Sequence, residues 1–325
     1  MSSKPYASDG EIRIGISACL LGDEVRFDGG HKHDRFLTGT VGEFVSFTPV
    51  CPEVELGLGI PRETIRLERG EAGDVRLVGN KTRKDITEEM ERYAEARVAE
   101  IEALNLCGYI LKKDSPSCGA FRVRVYEPSG MPSREGRGLF AEALIRRMPL
   151  LPVEEEGRLQ DPMLRENFFE RVFAYRRLKD LFQDGSWSMG DLVRFHTREK
   201  LFLLSHDTEI YRELGRLVAG AKKRPREEVE REYGEGFMRA LGTKATVKRH
   251  VNVLQHMAGH FRDVASVEER DELGELIEDY RQRLVPLIVP ITLLKHLTKM
   301  HRVEYLAGQT YLEPNPRELM LRNHC

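Results

Sequence analysis

A chain of 325 residues has room for two ordinary domains, and a composition of 40% hydrophobic and 32% charged residues excludes a disordered chain. No apolar run reaches the roughly 18 residues of a membrane span, and the opening MSSKPYASDGEIRIG lacks the apolar core of a secretory signal, so the cytoplasm is the expected location. A net charge of −2 excludes a whole-protein field for nucleic acid, and five scattered cysteines (19, 51, 107, 118 and 325) exclude a disulfide framework.

The first element is the β-branched run IRIGISA, residues 12–18, which predicts a strand. FVSFTPV, residues 44–50, predicts a second strand that delivers Cys51 at its end. From about 83 to 105 the apolar residues Ile86, Met90, Tyr93, Ala94, Val98 and Ile101 share a helix face, and Thr87 with Glu89 and Glu91 nearby supports a helix start just before it. CGYIL, residues 107–111, predicts a buried strand that leads into the polar loop KKDSPSCG. A helix over 138–148 and a last strand over 150–153 complete an α/β domain with a mostly parallel sheet, in which ligands collect beyond the carboxyl ends of the strands. From Asp161 the apolar spacing becomes three and four almost throughout, which predicts an all-α region. The expected division is a domain over 1–160, a helical connector over 161–185 and a helical domain over 186–325. The first 160 residues carry 23 Lys+Arg against 27 Asp+Glu, and the remainder 28 against 26 with eight of the ten histidines, so any RNA site must be a local patch.

Cys19, Cys51 and Cys118 each follow a predicted strand, which places all three thiols at one sheet edge if the strands are parallel neighbours. There is no Cys-x-x-Cys, so the common zinc and ferredoxin signatures are absent. The residues alone leave two readings open: three buried packing cysteines, or one shared ligand set. The segments SACLLGDEVRFDGG, PVCPEVELGLGIPRE and LKKDSPSCG, in this order, resemble the thiouracil desulfidase (TudS) family over about residues 10–157. That resemblance implies a [4Fe–4S] cluster held by Cys19, Cys51 and Cys118, one iron without a protein ligand, and a non-redox exchange of sulfur for oxygen. It also implies a proton-transferring role for Glu53 in the Cys-Pro-Glu motif, and a substrate-contacting or relaying role for Ser115. Glu55 competes with Glu53, and Asp114, Ser115 and Ser117 are equally suited to capping the turn. Arg26 and Asp28 in the VRFDGG turn, with Lys112, Lys113 and Ser117, are candidate substrate contacts. Cys107 is assigned to packing, and Cys325 has no assigned role.

Residues 195–321 resemble a helical domain of YbgA-type proteins, through FHTREKLFLLSH, HVNVLQHMAGHF, PLIVPITLLKH and YLAGQTYLEPNPRELMLRN. The fused arrangement resembles the tRNA 4-thiouridine desulfidases (RudS), which implies conversion of 4-thiouridine in tRNA to uridine and hydrogen sulfide. Lys222, Lys223, Arg224 and Arg226 form one basic cluster, and Lys244, Lys248 and Arg249 a second; Arg198 with Lys200, and Lys295 with Lys299 and Arg302, add others. Each is also an ordinary solvated helix face. His256 and His260 stand at the i, i+4 spacing of zinc ligands, with His250 nearby, but the glutamate of the zinc-protease motif is missing, so structural or RNA-contacting roles are expected. Rival functions are desulfuration of free thiouracil or a thionucleotide, and a non-enzymatic RNA-binding or regulatory protein with a structural metal.

Overall fold

The computed structural model describes residues 11–324, which divide into two units, 11–160 and 161–324. The first ten residues and Cys325 lie outside the described residues. The expected order of an α/β unit followed by a helical one is what the chain adopts. No helix among the described residues is long and apolar enough to cross a membrane.

The first unit is built on a four-stranded parallel sheet of β1 (Arg13–Ser17), β2 (Ser46–Val50), β5 (Gly108–Leu111) and β8 (Val153–Glu155), in the order β2-β1-β5-β8. Ile14, Ile16, Tyr109, Ile110 and Leu111 are fully buried, as strands covered on both faces require. Gly15 is needed here, because a Cβ at that position would lie 2.3 Å from the Tyr109 ring. The chain leaves β1 for β2 on one side, while β5 flanks β1 on the other. This reversal is a topological switch point, where a crevice opens beyond the strand ends.

Sequence reading missed a second, mixed sheet of β3 (Ile65–Arg69), β4 (Val75–Gly79), β6 (Val123–Tyr126) and β7 (Pro132–Gly136), in the order β4-β3-β6-β7. Its Leu67, Leu77, Val123 and Val125 pack against Ile86 and Met90 at the start of α2 (Thr87–Glu102). That helix begins at Thr87, where the sequence signals its start, and not at residue 83, where the expected segment opens. Residues 80–85 turn back onto β4 instead, with Asp85 bridged to Val78, and Asp85 Oδ1 accepts from Thr87 N at 2.9 Å. The last strand also starts later, at Val153, after a short α3 (Leu139–Arg147). Between β2 and β3 the one-turn α1 (Pro52–Glu55) follows Cys51 directly.

The second unit contains α4 (Pro162–Phe182), α5 (Met189–His206), α6 (Thr208–Gly220), α7 (Arg226–Gly242), α8 (Val247–Ala258), α9 (Val267–Arg281), α10 (Ile288–Met300) and the short α11 (Glu304–Ala307). The helix starts are written in the sequence. Asp161 caps α4 through Met163 N and Leu164 N, with Pro162 at the first helical position. Ser188 with Asp191 and Ser266 with Glu269 form capping boxes on α5 and α9. Helix α4, expected as a connector, is part of this unit's core: Phe168, Phe169 and Phe173 are buried in it. The buried Arg177 on α4 pairs with Glu199 on α5 at 2.8 Å, and Arg322 reaches Glu170 at 2.6 Å and Tyr311 O at 2.6 Å, tying the C-terminal segment to α4.

This network carries a pH consequence. His250 Nδ1 lies 2.9 Å from Tyr311 Oη, and burial, reinforced by the Arg322 charge, pushes the imidazole down to about 3. Glu170, His206 and His324 also act on it. As pH falls below about 6.5 the unfolded chain binds a proton that the folded chain refuses, so stability drops by up to about 1.4 kcal/mol per pH unit until about pH 3. The chain's one tryptophan, Trp187, is buried in this unit and reports its unfolding. Urea midpoints followed by its fluorescence are expected to fall between pH 7 and 4.5, and to fall less in His250→Gln. Equal drops in both proteins would remove His250 as the cause.

Candidate active site and a basic groove

Beyond the carboxyl ends of β1, β2 and β5 lies a cavity of ≈ 350 Å³, lined by Cys19, Cys51 and Cys118 together with Glu53, Arg62, Lys112, Ser115 and Ser117. The parallel register explains the convergence. Ser17 is paired with Val50, so Cys19 and Cys51 leave adjacent strands at the same level, and Cys118 returns on the loop after β5. Burial pushes the Cys19 thiol up to about 11 against the opposing Lys112 charge, and it raises Cys51 as well. Cys118 is raised furthest, by burial and then by the Glu53 charge, against a hydrogen bond from Ser17. Three soft donors that burial keeps protonated become thiolates when a cationic centre enters, so the donor set suits an iron–sulfur or soft-metal group. Among the described residues no group of three His, Cys, Asp or Glu side chains is arranged to hold a single metal ion. The three thiols nevertheless line one cavity, and thiolates are the donors that iron–sulfur clusters take.

Glu53 enters on the single turn that follows Cys51. Its Oε2 accepts from Arg62 Nη2 at 2.6 Å and Nε at 2.9 Å, and its Oε1 accepts from Ser117 Oγ at 2.7 Å. Ser117 is fully buried; its Oγ lies 3.0 Å from Ser115 Oγ and 3.9 Å from Cys118 Sγ. Ser115 Oγ also accepts from the backbone N–H groups of Ser117 (3.3 Å) and Cys118 (3.1 Å). Glu55, by contrast, is fully engaged in structure: it accepts from Cys51 N (3.1 Å) and Tyr93 Oη (2.6 Å) and pairs with Arg97 (3.0 Å).

The loop that carries Cys118 is held at both ends by the last residue of β8 and the one that follows it. Glu156 accepts from Lys112 Nζ (2.5 Å) and Lys113 N (2.8 Å) before the cysteine, and Glu155 accepts from Ala120 N (2.8 Å) and Phe121 N (3.0 Å) after it. The start of α3 closes on the same loop, with Phe140 N donating to Ser117 O at 3.1 Å. Gly138 permits that approach, since a Cβ there would stand 2.4 Å from Ser117 O.

In the second unit, α5, α6 and α8 border an open groove of ≈ 870 Å³. Lys200, Arg212, Lys248 and Arg249 line it, and none of its lining residues is acidic. Tyr211, His256, His260 and Tyr305 add rings; His260 stacks on Tyr305 at 4.9 Å, and Lys200 Nζ sits 4.8 Å from that ring's centre.

The 2-thiouracil desulfurase family matches residues 14–156, and the family described as a protein of unknown function, DUF1722, matches residues 200–316. The uncharacterized protein YbgA of Escherichia coli (strain K12) is 34% identical over 154 residues, which cover 47% of this chain and 90% of that protein. The chain belongs to both families, a 2-thiouracil desulfurase domain joined to a YbgA-like DUF1722 domain. The uncharacterized protein YbbK of Bacillus subtilis (strain 168) is 31% identical over 109 residues, or 32% of this chain and 72% of that protein. A solved structure of a [4Fe-4S]-dependent thiouracil desulfidase, TudS, is 33% identical with a TM-score of 0.38, covering 46% of this chain and 95% of that one.

Within the desulfurase domain, Arg26, Lys112, Lys113, Ser115 and Ser117 line the cavity. Asp28 does not. Its carboxylate accepts from Gly30 N at 3.1 Å and pairs with Arg26 at 3.5 Å, closing its own turn. Cys107 precedes β5, at the end of the sheet opposite the cavity, and is fully buried. Arg62 was missed as a site residue, although it lies in the PVCPEVELGLGIPRE segment that carries the resemblance. In the DUF1722 domain, Lys248 and Arg249 line the groove, while Lys222 and Lys223 stand outside it in a short turn. Arg224 is also outside, bound to Glu232 at 2.6 Å and Glu228 at 3.3 Å. Lys295 pairs with Glu313. The histidines part company: His250 is buried, whereas His256 and His260 are exposed in the groove.

Proposed function

We propose that the protein is a cytoplasmic, [4Fe–4S]-dependent desulfidase that removes sulfur from 4-thiouridine in tRNA, giving uridine and hydrogen sulfide. The carrying observation is the shared cavity of Cys19, Cys51 and Cys118 beside Glu53, in a 2-thiouracil desulfurase domain. The three thiolates would hold the cluster. When bound, it supplies an iron without a protein ligand, a soft Lewis-acid position for the substrate's sulfur. The overall exchange consumes one water, replaces C=S by C=O and releases H2S, with no net electron transfer. In this reading Glu53 takes a proton from the attacking water and returns one to the departing sulfide. Ser117 holds the carboxylate at Oε1, and Ser115 holds Ser117. The apolar cavity walls, Val25, Val50 and Ile65 among them, limit bulk water around this proton traffic.

The groove of the DUF1722 domain supports tRNA over a free base as substrate. Four cations with no lining carboxylate suit a phosphate backbone, and the exposed His256 and His260 beside the half-buried Tyr211 and Tyr305 suit unstacked bases. The test is an anaerobic assay of the reconstituted protein on 4-thiouridine-containing tRNA and on 2-thiouracil, reading sulfide release and loss of the thiouridine absorbance. Desulfuration of 2-thiouracil alone would reject the tRNA substrate. Zinc at the three thiols without desulfuration would favour a regulatory protein. The double variant Lys248→Glu/Arg249→Glu is expected to raise KM for tRNA by about tenfold or more, to flatten its salt dependence, and to leave turnover of 2-thiouracil unchanged. An unchanged KM for tRNA would remove the groove from the interface.

A further inference from the structure

We propose that Arg62 is a positioning residue for Glu53, one half of a two-sided grip whose other half is the Ser117–Ser115 pair. The assignment rests on the desulfidase reading for its functional meaning, but the grip itself is a property of this chain's own side chains.

The Arg62 side chain is 5% exposed and that of Glu53 14%, so the pair sits away from bulk solvent. An arginine fork commonly spans both oxygens of a carboxylate. Here Nε and Nη2 both donate to Oε2, at 2.9 and 2.6 Å, and leave Oε1 aside. The guanidinium cannot swing to a symmetric pose without loss, because Nη1 donates to Gly59 O at 3.1 Å and the backbone N of Arg62 donates to Phe27 O at 3.0 Å. Oε1 therefore falls to Ser117 Oγ at 2.7 Å.

Proton counting fixes the direction of the chain behind it. Ser117 has one hydroxyl hydrogen, and a carboxylate oxygen only accepts, so that hydrogen points at Glu53. In the 3.0 Å contact between the two serines the donor is then Ser115. Ser115 Oγ in turn accepts from two backbone N–H groups, Ser117 N and Cys118 N, which uses its remaining hydrogen-bonding capacity. Ser115 thus acts through Ser117, and both Glu53 oxygens are held, one by charge and one by a hydroxyl. A carboxylate gripped in this way keeps a single orientation toward the cavity without being covered by substrate-binding groups.

The test combines Arg62→Gln and Arg62→Lys with Glu53→Gln. Arg62→Gln is expected to lower kcat about tenfold or more with KM and iron content unchanged, Arg62→Lys to restore part of the loss, and Arg62→Gln to cost nothing further once Glu53 is already glutamine. An equal loss in both backgrounds, or a loss confined to KM, would mean that Arg62 acts on substrate directly and would overturn the proposal. A second readout needs no cluster and no turnover: labelling of Glu53 by a water-soluble carbodiimide in the metal-free protein, mapped by peptide mass spectrometry. Labelling is expected to be several-fold faster in Arg62→Gln and near wild type in Arg62→Lys, and an unchanged rate in Arg62→Gln would show that there is no grip. Wild-type protein inactive on every thiolated substrate would reject the desulfidase reading while the labelling result still judged the grip.

Discussion

Replacing any one of Cys19, Cys51 and Cys118 with serine is expected to abolish iron binding and sulfide release, whereas Cys107→Ala is expected to preserve both. Serine keeps the size of the side chain but substitutes a hard hydroxyl, rarely deprotonated, for a soft thiolate. With three protein donors there is no spare to compensate. Cys107 is a buried cysteine at the far end of β5, separated from the cavity by a four-residue strand of roughly 13 Å. Its truncation costs packing, about 1 kcal/mol of stability, and nothing at the site. Iron and acid-labile sulfide per chain after anaerobic reconstitution, measured alongside sulfide release, decide the matter. Loss of iron in Cys107→Ala would make it a fourth ligand, close the open iron position and end the proposed mechanism.

Glu53→Gln is expected to reduce kcat by about 10² to 10⁴, the usual range for removing a general acid–base group, with iron content unchanged. The amide preserves shape and can still accept from Arg62, so a loss of this size would report lost proton transfer rather than a collapsed cavity. Ser117→Ala removes one hydrogen bond to a charged group, typically about 1.5–3 kcal/mol, and is expected to cost about 10- to 100-fold. A fully active Glu53→Gln protein with a full iron complement would exclude the role assigned to this carboxylate.

Much of the desulfurase domain was legible because its central strands are uninterrupted apolar runs, and each cysteine follows such a run directly or after a short polar loop. The second sheet was not read, because β3 and β4 are five-residue strands whose outward positions are charged: Arg66, Glu68 and Arg76 pair with neighbours, and only Leu67 and Leu77 face the core fully buried. Such alternation is brief enough to pass for loop. Cys51 and Glu53 share one turn, so their proximity was readable, whereas the contact between Glu53 and Ser117 spans 64 positions and depends on the strand order. The groove shows the same limit. Lys222–Arg224 is conspicuous in sequence, yet Arg224 is neutralised by glutamates on the next helix. Lys200, Arg212, Lys248 and Tyr305 come from four separate segments that only helix packing brings together.

The double hold of Glu155 and Glu156 on the Cys118 loop has a bearing on synthesis. All three cysteines have been translated by residue 118, but the loop that presents the last of them is not anchored until β8, the final strand of its sheet, has emerged and paired with β5. A nascent chain stalled short of residue 153 carries Cys19, Cys51 and Cys118 but lacks both carboxylates that anchor the loop of the third.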